Sequence, residues 1–259
     1  MLVGILLELV VGFALVGARI GGFVAISPFP GDSVGRMPKI GLVVVLTLFA
    51  APLARRADGL GSDPGLWLVV PVLSELAVGA GIGACFRMLL ASAEVLGALV
   101  SQSVGLAVPS VVSPALGTQE TALTHATTLL AMLVALASGA HRVAVGYLVG
   151  SMRALPLGSA LHLDGTLATF IALSADCLTV GVRLAAPVLA VSLAVQMGLA
   201  LLSRAAPSLQ LFSVGFAILV ATGLLTLSAS LPNITRGLGE HVGTLGPIVD
   251  RVLATLAGG

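Results

Sequence analysis

The sequence predicts an all-α integral membrane protein made of helical hairpins, and three observations predict it. Charged residues are 9% of the 259 and hydrophobic residues 58%, with a mean hydropathy of +1.14; an average soluble domain carries about a quarter charged residues. Apolar runs fall at about 2–26, 40–54, 66–106, 121–150, 165–203 and 208–232, with proline and glycine breaks between them. These six segments match a bilayer poorly. A span needs about 20 residues to cross roughly 30 Å of hydrocarbon; Ile40 to Ala54 is short for that, and Leu66 to Leu106 is too long for one span. Several segments are therefore expected to be long or broken helices packed on protein, where any length is tolerated if the backbone finds partners.

Taken in order, MLVGILLELVVGFALVGAR has no basic leader and meets Glu8 early, so it reads as a first helix that is kept rather than a cleaved signal. Gly17-x-x-x-Gly21 and, in the third run, Gly79-x-Gly81-x-Gly83 offer the small-residue spacing at which membrane helices approach closely. The third run leads into VGLAVPSVVSPALGTQETAL, Val104 to Leu123, and no ionisable residue occurs from Val95 to Gln119. Pro109 and Pro114 interrupt this stretch, since proline removes a helical hydrogen bond and clashes with the preceding turn. From Asn233, Leu238, Val242, Leu245, Val249, Val252 and Leu256 form a stripe opposite Arg236, Glu240, Asp250 and Arg251. That amphipathic tail, 233–259, closes a bundle or binds a partner, and Pro247 is expected to bend it.

Ionisable residues within the apolar runs are the next clue. Glu75, Arg87, Glu94, Asp176 and Arg183 would each cost several kcal/mol facing lipid, so they are expected to face protein or a wet cavity. Arg87 and Glu94, like Asp176 and Arg183, are seven residues apart and share a helix face without closing on each other. Their partners lie on other helices of this chain or on other subunits.

Several function classes are excluded or disfavoured. A net charge of +1 and one Tyr and one Trp provide neither a basic field nor stacking platforms for nucleic acid. Cys85 and Cys177 lack metal or redox spacing and read as small core residues. His125, His141, His162 and His241 are scattered, without a metal-holding pair, and no catalytic or nucleotide motif occurs. No enzyme activity, metal or cofactor is expected.

The chain resembles the FliR/SctT family of export-gate subunits of flagella and type III injectisomes, over essentially its whole length. Near the start, RIGGFVAISPFPGDSVGRMPKIGLVVVLTLFAAP carries Arg19, Pro28, Pro30, the basic pair Arg36 and Lys39, and Pro52. Gly97 and Gly105 precede the proline-broken stretch, and HRVAVGYLVGSMRALPLG supplies His141, Leu155, Pro156 and Gly158. The most specific piece is LSRAAPSLQLFSVGFAI, with Leu202, Arg204, Pro207, Phe212, Gly215 and Phe216 in the family's order and spacing. Ala98, Ser113, Gly139-Ala140 and Ala217 depart from the common pattern.

The resemblance implies a single export-gate domain, 1–259, that joins FliP/SctR-type and FliQ/SctS-type subunits in a hetero-oligomeric helical pore, with a FlhB/SctU-type subunit alongside. It implies a multi-pass protein of the bacterial inner membrane, in a flagellar basal body or injectisome base, in contact with lipid and with unfolded protein substrates. RAAP and the central stretch lean toward the flagellar branch. It also implies that residues 108–120, with Val108, Pro109, Ser110, Val111, Val112, Ser113, Pro114 and Gly117, form a loop that plugs the closed pore. A plain surface or re-entrant loop is the other reading of that stretch. Arg204 is expected to fix a turn by hydrogen-bonding exposed carbonyls, for which its planar head is suited. The rival function is a small secondary transporter or channel, which would place polar ligands at broken helices in two related halves. The breaks here are largely uncharged, and no such symmetry is visible.

Overall fold

The structure, a computed structural model, describes residues 2–29, 31, 34–54, 68–106, 122–158, 165–205 and 211–257, with side chains except at 2–8, 205, 211–213 and 257. Every regular element among them is a helix. In order these are α1 (Leu2–Ile26), α2 (Arg36–Ala50) with a 3-10 turn (Ala51–Leu53), α3 (Val69–Ser103), α4 (Ala122–Ala137), α5 (Ala140–Ala154), α6 (Thr166–Ala205), α7 (Leu211–Gly243) and α8 (Leu245–Ala257). Among the described residues, five stretches are long and apolar enough to cross a membrane, or six if α4 and α5 form one broken span. The chain is an all-α, multi-pass membrane protein.

The run lengths that fitted a bilayer poorly have simple causes. With 35 and 40 residues, α3 and α6 extend about 52 and 60 Å at 1.5 Å per residue, well beyond roughly 30 Å of hydrocarbon. Pro71 lies in the first turn of α3, where its missing N–H would have had no intrahelical partner. The fourth run is instead two helices. Gly139, at φ 76°, takes the left-handed conformation between α4 and α5, which costs glycine nothing.

The tail does not begin at Asn233: α7 continues through Pro232 to Gly243, and the break comes at Thr244. Pro247 explains the position. It has no N–H for the Gly243 carbonyl and its ring crowds that group, so the helix stops there and restarts with Pro247 in the first turn of α8. The stripe's Leu238, Leu245, Val249, Val252 and Leu256 are buried, while Arg236, Glu240, Asp250 and Arg251 are exposed.

The chain forms two compact units: unit 1 is Met1–Met88, Gly139–Ser174 and Gly243–Gly259, and unit 2 is Leu89–Ser138 and Ala175–Val242. In unit 1, α1 crosses the first half of α3 at backbone contact. A Cβ on Gly79 would run into the Arg19 carbonyl, one on Gly22 into the Leu76 carbonyl, and one on Gly83 would stand 2.9 Å from the Phe23 carbonyl. Gly22, rather than Gly17 or Gly21, makes this crossing: Gly21 has open space and Gly17 meets only Thr47 at ordinary distance. Leu15, Ile20, Ile82, Phe86, Leu148 and Met152 fill the core beside it, and α8 packs on α5.

Unit 2 has an aliphatic core. Leu90, Ala93, Leu96, Val100 and Val104 of the chain's third helical segment meet Ala131, Ala185, Val188, Ile234 and Leu238. Gly97 lets α4 settle on α3, because a Cβ there would strike Thr127 Oγ1 and approach the Thr124 backbone to 2.6 Å. Thr127 Oγ1 then lies in hydrogen-bonding reach of the Ala93 carbonyl across the interface at 3.1 Å and of the Thr124 carbonyl in its own helix at 2.8 Å.

Candidate functional site

Two nodes gather the residues singled out in the sequence, one in each unit. The first centres on Arg19, fully buried in α1. Its Nε donates to Glu75 Oε2 at 2.5 Å, and Glu75 is 2% exposed. Nη1 donates to the Ser151 carbonyl at 2.9 Å and to Ser151 Oγ at 3.3 Å, and Nη2 donates to the Leu155 carbonyl at 3.1 Å. The other Glu75 oxygen, Oε1, accepts from the Gly158 N–H at 2.9 Å.

Local sequence sets this geometry. Pro156 ends α5 and holds Leu155 extended, at φ −119° and ψ 100°, as a residue before proline prefers. Gly158 turns the chain back at φ 79°, a conformation open to glycine. The Ser151 carbonyl already accepts from the Leu155 N–H at 2.8 Å; the planar guanidinium of Arg19 adds a second donor there and supplies one to the Leu155 carbonyl just past the helix end. Its positive charge also complements the negative end of the helix dipole. Glu75 neutralises that charge within a core that could not hold it alone. This node ties α1, α3, the end of α5 and the turn 155–158 together, and it performs the carbonyl-capping role that the sequence suggested for Arg204.

The second node lies where α3 ends in unit 2. Gly105 stands at φ 85°, and the ring edge of Phe216 lies 3.4 Å from where its Cβ would be. Gly105 and Phe216 come from opposite ends of the family-like motifs, and their contact leads directly to Leu106, the last described residue before 107–121. The residues Val108 to Pro114 and Gly117 all lie outside the described residues, as do Pro207 and Pro30.

The remaining candidates are dispersed. Pro28 is buried in the turn after α1, and Pro52 sits in the 3-10 turn, beside a hollow lined by Phe13, Val16 and Leu157. His141 is exposed, its ring edge-on to Phe29 with centroids 6.4 Å apart. Gly215 is buried against Leu199. Phe212 lies in α7, and Arg204 is exposed in the last turn of α6. Arg87 and Glu94 are half-buried on α3. Asp176 and Arg183 are exposed on this chain, and Asp176 Oδ2 lies 4.0 Å from Nδ1 of the buried His241.

Among the described residues, no group of His, Cys, Asp or Glu side chains could hold a metal ion. Sequence reasoning missed Ser151, which offers Arg19 both a carbonyl and a hydroxyl, and it did not join Glu75 to Arg19. A fully buried arginine needs several acceptors, but nothing in a single sequence says which of Glu75, Glu94 and Asp176 provides the carboxylate.

Comparison with known proteins adds the family. Residues 10–245 match the family described as bacterial export proteins, family 1. The chain is 28% identical over 226 residues to the flagellar biosynthetic protein FliR of Pectobacterium carotovorum, covering 86% of this chain and 85% of that protein. It is 27% identical over 222 residues to FliR of Caulobacter vibrioides, covering 85% and 88%, and 24% identical over 226 residues to FliR of Bacillus subtilis, covering 86% of each. The match extends across both units and both nodes, and the chain belongs to the FliR family of bacterial export proteins.

Proposed function

We propose that this chain is a subunit of a flagellar protein-export gate in the bacterial inner membrane, acting as one functional domain with no catalytic chemistry. It joins FliP-type and FliQ-type subunits, beside an FlhB-type subunit, around a pore that passes unfolded substrates. The observation that carries this reading is the family match over residues 10–245, from proteins named flagellar biosynthetic protein FliR.

Residues 108–120 seal that pore. Two features support a plug: the stretch has no ionisable residue before Glu120, and it holds Pro109, Pro114 and Gly117. A seal against apolar walls must lack charge, and a seal that moves aside cannot be a continuous helix. Exposed Leu193, Met197, Leu201 and Leu225 of unit 2, with Asp176 and Arg183, are surfaces for lipid or neighbouring subunits in such an assembly.

The test has two arms. Co-expression with the three partner types, read by native mass spectrometry, should give a discrete complex containing this chain; a stable monomer that ignores them would refute the assembly. Deleting Pro109 to Gly117 should leave complex abundance intact and make the gate leak ions. Unchanged conductance at normal abundance would return 108–120 to a plain loop.

A further inference from the structure

We propose that α2 carries a binding site for an anionic phospholipid, with the headgroup phosphate held by Arg36 and Lys39 and the acyl chains along the exposed surface of the helix. Unit 1 covers very little of α2: only Thr47 and Ala50 are buried among its 15 residues. Met37 is 82% exposed, Phe49 76%, and Ile40, Val44, Val45 and Leu48 are each half exposed or more. At 100° per residue these side chains spread over about half of the helix circumference. A protein partner that receives an amphipathic helix in a groove covers a narrower stripe. An apolar surface this wide suits fluid hydrocarbon.

Charge and length select the headgroup. α2 holds Arg36 and Lys39 and no acidic residue; Asp32, four positions before Arg36, is the one acid in 31–54. Arg36 is exposed and Lys39 half-buried, and neither has an ion-pair partner among the described residues. Three residues apart, they share a helix face. The stretch from Arg36 to Leu53 has 18 residues and reaches about 27 Å, slightly short of roughly 30 Å of hydrocarbon. Basic side chains at the end of a short span extend toward the interface to meet phosphate. A zwitterionic headgroup would offset their charge with its own cation; an anionic one leaves its phosphate available.

The test uses the purified full-length chain in mild detergent, equilibrated with phosphatidylglycerol or with phosphatidylcholine of the same acyl chains, and bound lipid is counted by native mass spectrometry. Phosphatidylglycerol should be retained preferentially. Arg36→Gln and Lys39→Gln should each weaken its retention about fivefold, since a basic residue near an anionic surface contributes about 1 kcal/mol, and Arg36→Lys should retain most of it. Should the glutamine variants fold poorly, raising the salt on the unaltered chain gives the same test, because it should weaken phosphatidylglycerol retention and leave phosphatidylcholine unaffected. Equal retention of the two lipids, or salt-independent binding, would overturn the headgroup assignment. A nitroxide at Val45→Cys in proteoliposomes should be reached by oxygen and not by a water-soluble nickel complex. Shielding from both would mean that a protein covers α2 and would overturn the lipid assignment.

Discussion

The core of unit 1 closes around an ion pair, whereas that of unit 2 closes with aliphatic side chains and a glycine. In unit 1, Arg19 donates a hydrogen bond to Glu75 and each also binds the backbone after α5, so register and orientation are specified by direction as well as volume. In unit 2, α4 rests in the groove that Gly97 leaves on α3, with the Thr127 hydroxyl in reach of the Ala93 carbonyl across it. Such packing specifies shape more than direction. The stretch 108–120 follows Leu106 and precedes Ala122, both in this second unit. The contrast suits the proposed division of labour, in which unit 1 is scaffold and the proposed seal follows the helices of unit 2.

The contrast can be broken at graded points. Glu75→Gln strands the Arg19 charge in the core, and removing one member of a buried pair costs about 3–5 kcal/mol; the yield of folded protein and the melting temperature in detergent should fall most here. Gly79→Ala should follow at about 1–3 kcal/mol, because an added methyl forces the α1–α3 backbones apart. Thr127→Val in unit 2 keeps the shape and removes one hydrogen bond, for a loss of about 1 kcal/mol. Tyr147→Phe removes an exposed hydrogen bond of 3.1 Å to Asp250, between α5 and α8, and should leave the melting temperature nearly unchanged. If Tyr147→Phe proved as damaging as Glu75→Gln, the buried node would not be what holds unit 1.

Much of this architecture was legible in the sequence, and the rest was hidden for identifiable reasons. Composition marks the all-α membrane class, and the ends of α1 are those of the first apolar run. The tail stripe is readable because polar residues alternate with it: Leu238, Leu245, Val249, Val252 and Leu256 are buried and Val242 is half-buried. Along α3 no such reading is possible: Val78, Ile82, Phe86, Leu89, Ala93, Leu96 and Val100 are buried, yet the opposite face is also apolar. Periodicity disappears when both faces avoid water. Glycines show the same limit, since thirty-two of them offer many close-packing spacings and only the partner helix selects Gly22, Gly79 and Gly83. Glu75 was visible as a costly charge and Arg19 only as a residue of the family-like motif, and pairing residues 56 positions apart requires the fold.

The division of labour between the units is tested most directly by measuring ion conductance per assembled complex for Glu75→Gln and Val111→Asp side by side, with complex abundance quantified in the same membranes. Glu75→Gln should lower abundance and leave conductance per complex unchanged. Val111→Asp, which places an unpaired carboxylate in the proposed seal, should leave abundance unchanged and raise conductance. The reverse pattern, or unchanged conductance for Val111→Asp at normal abundance, would contradict the account.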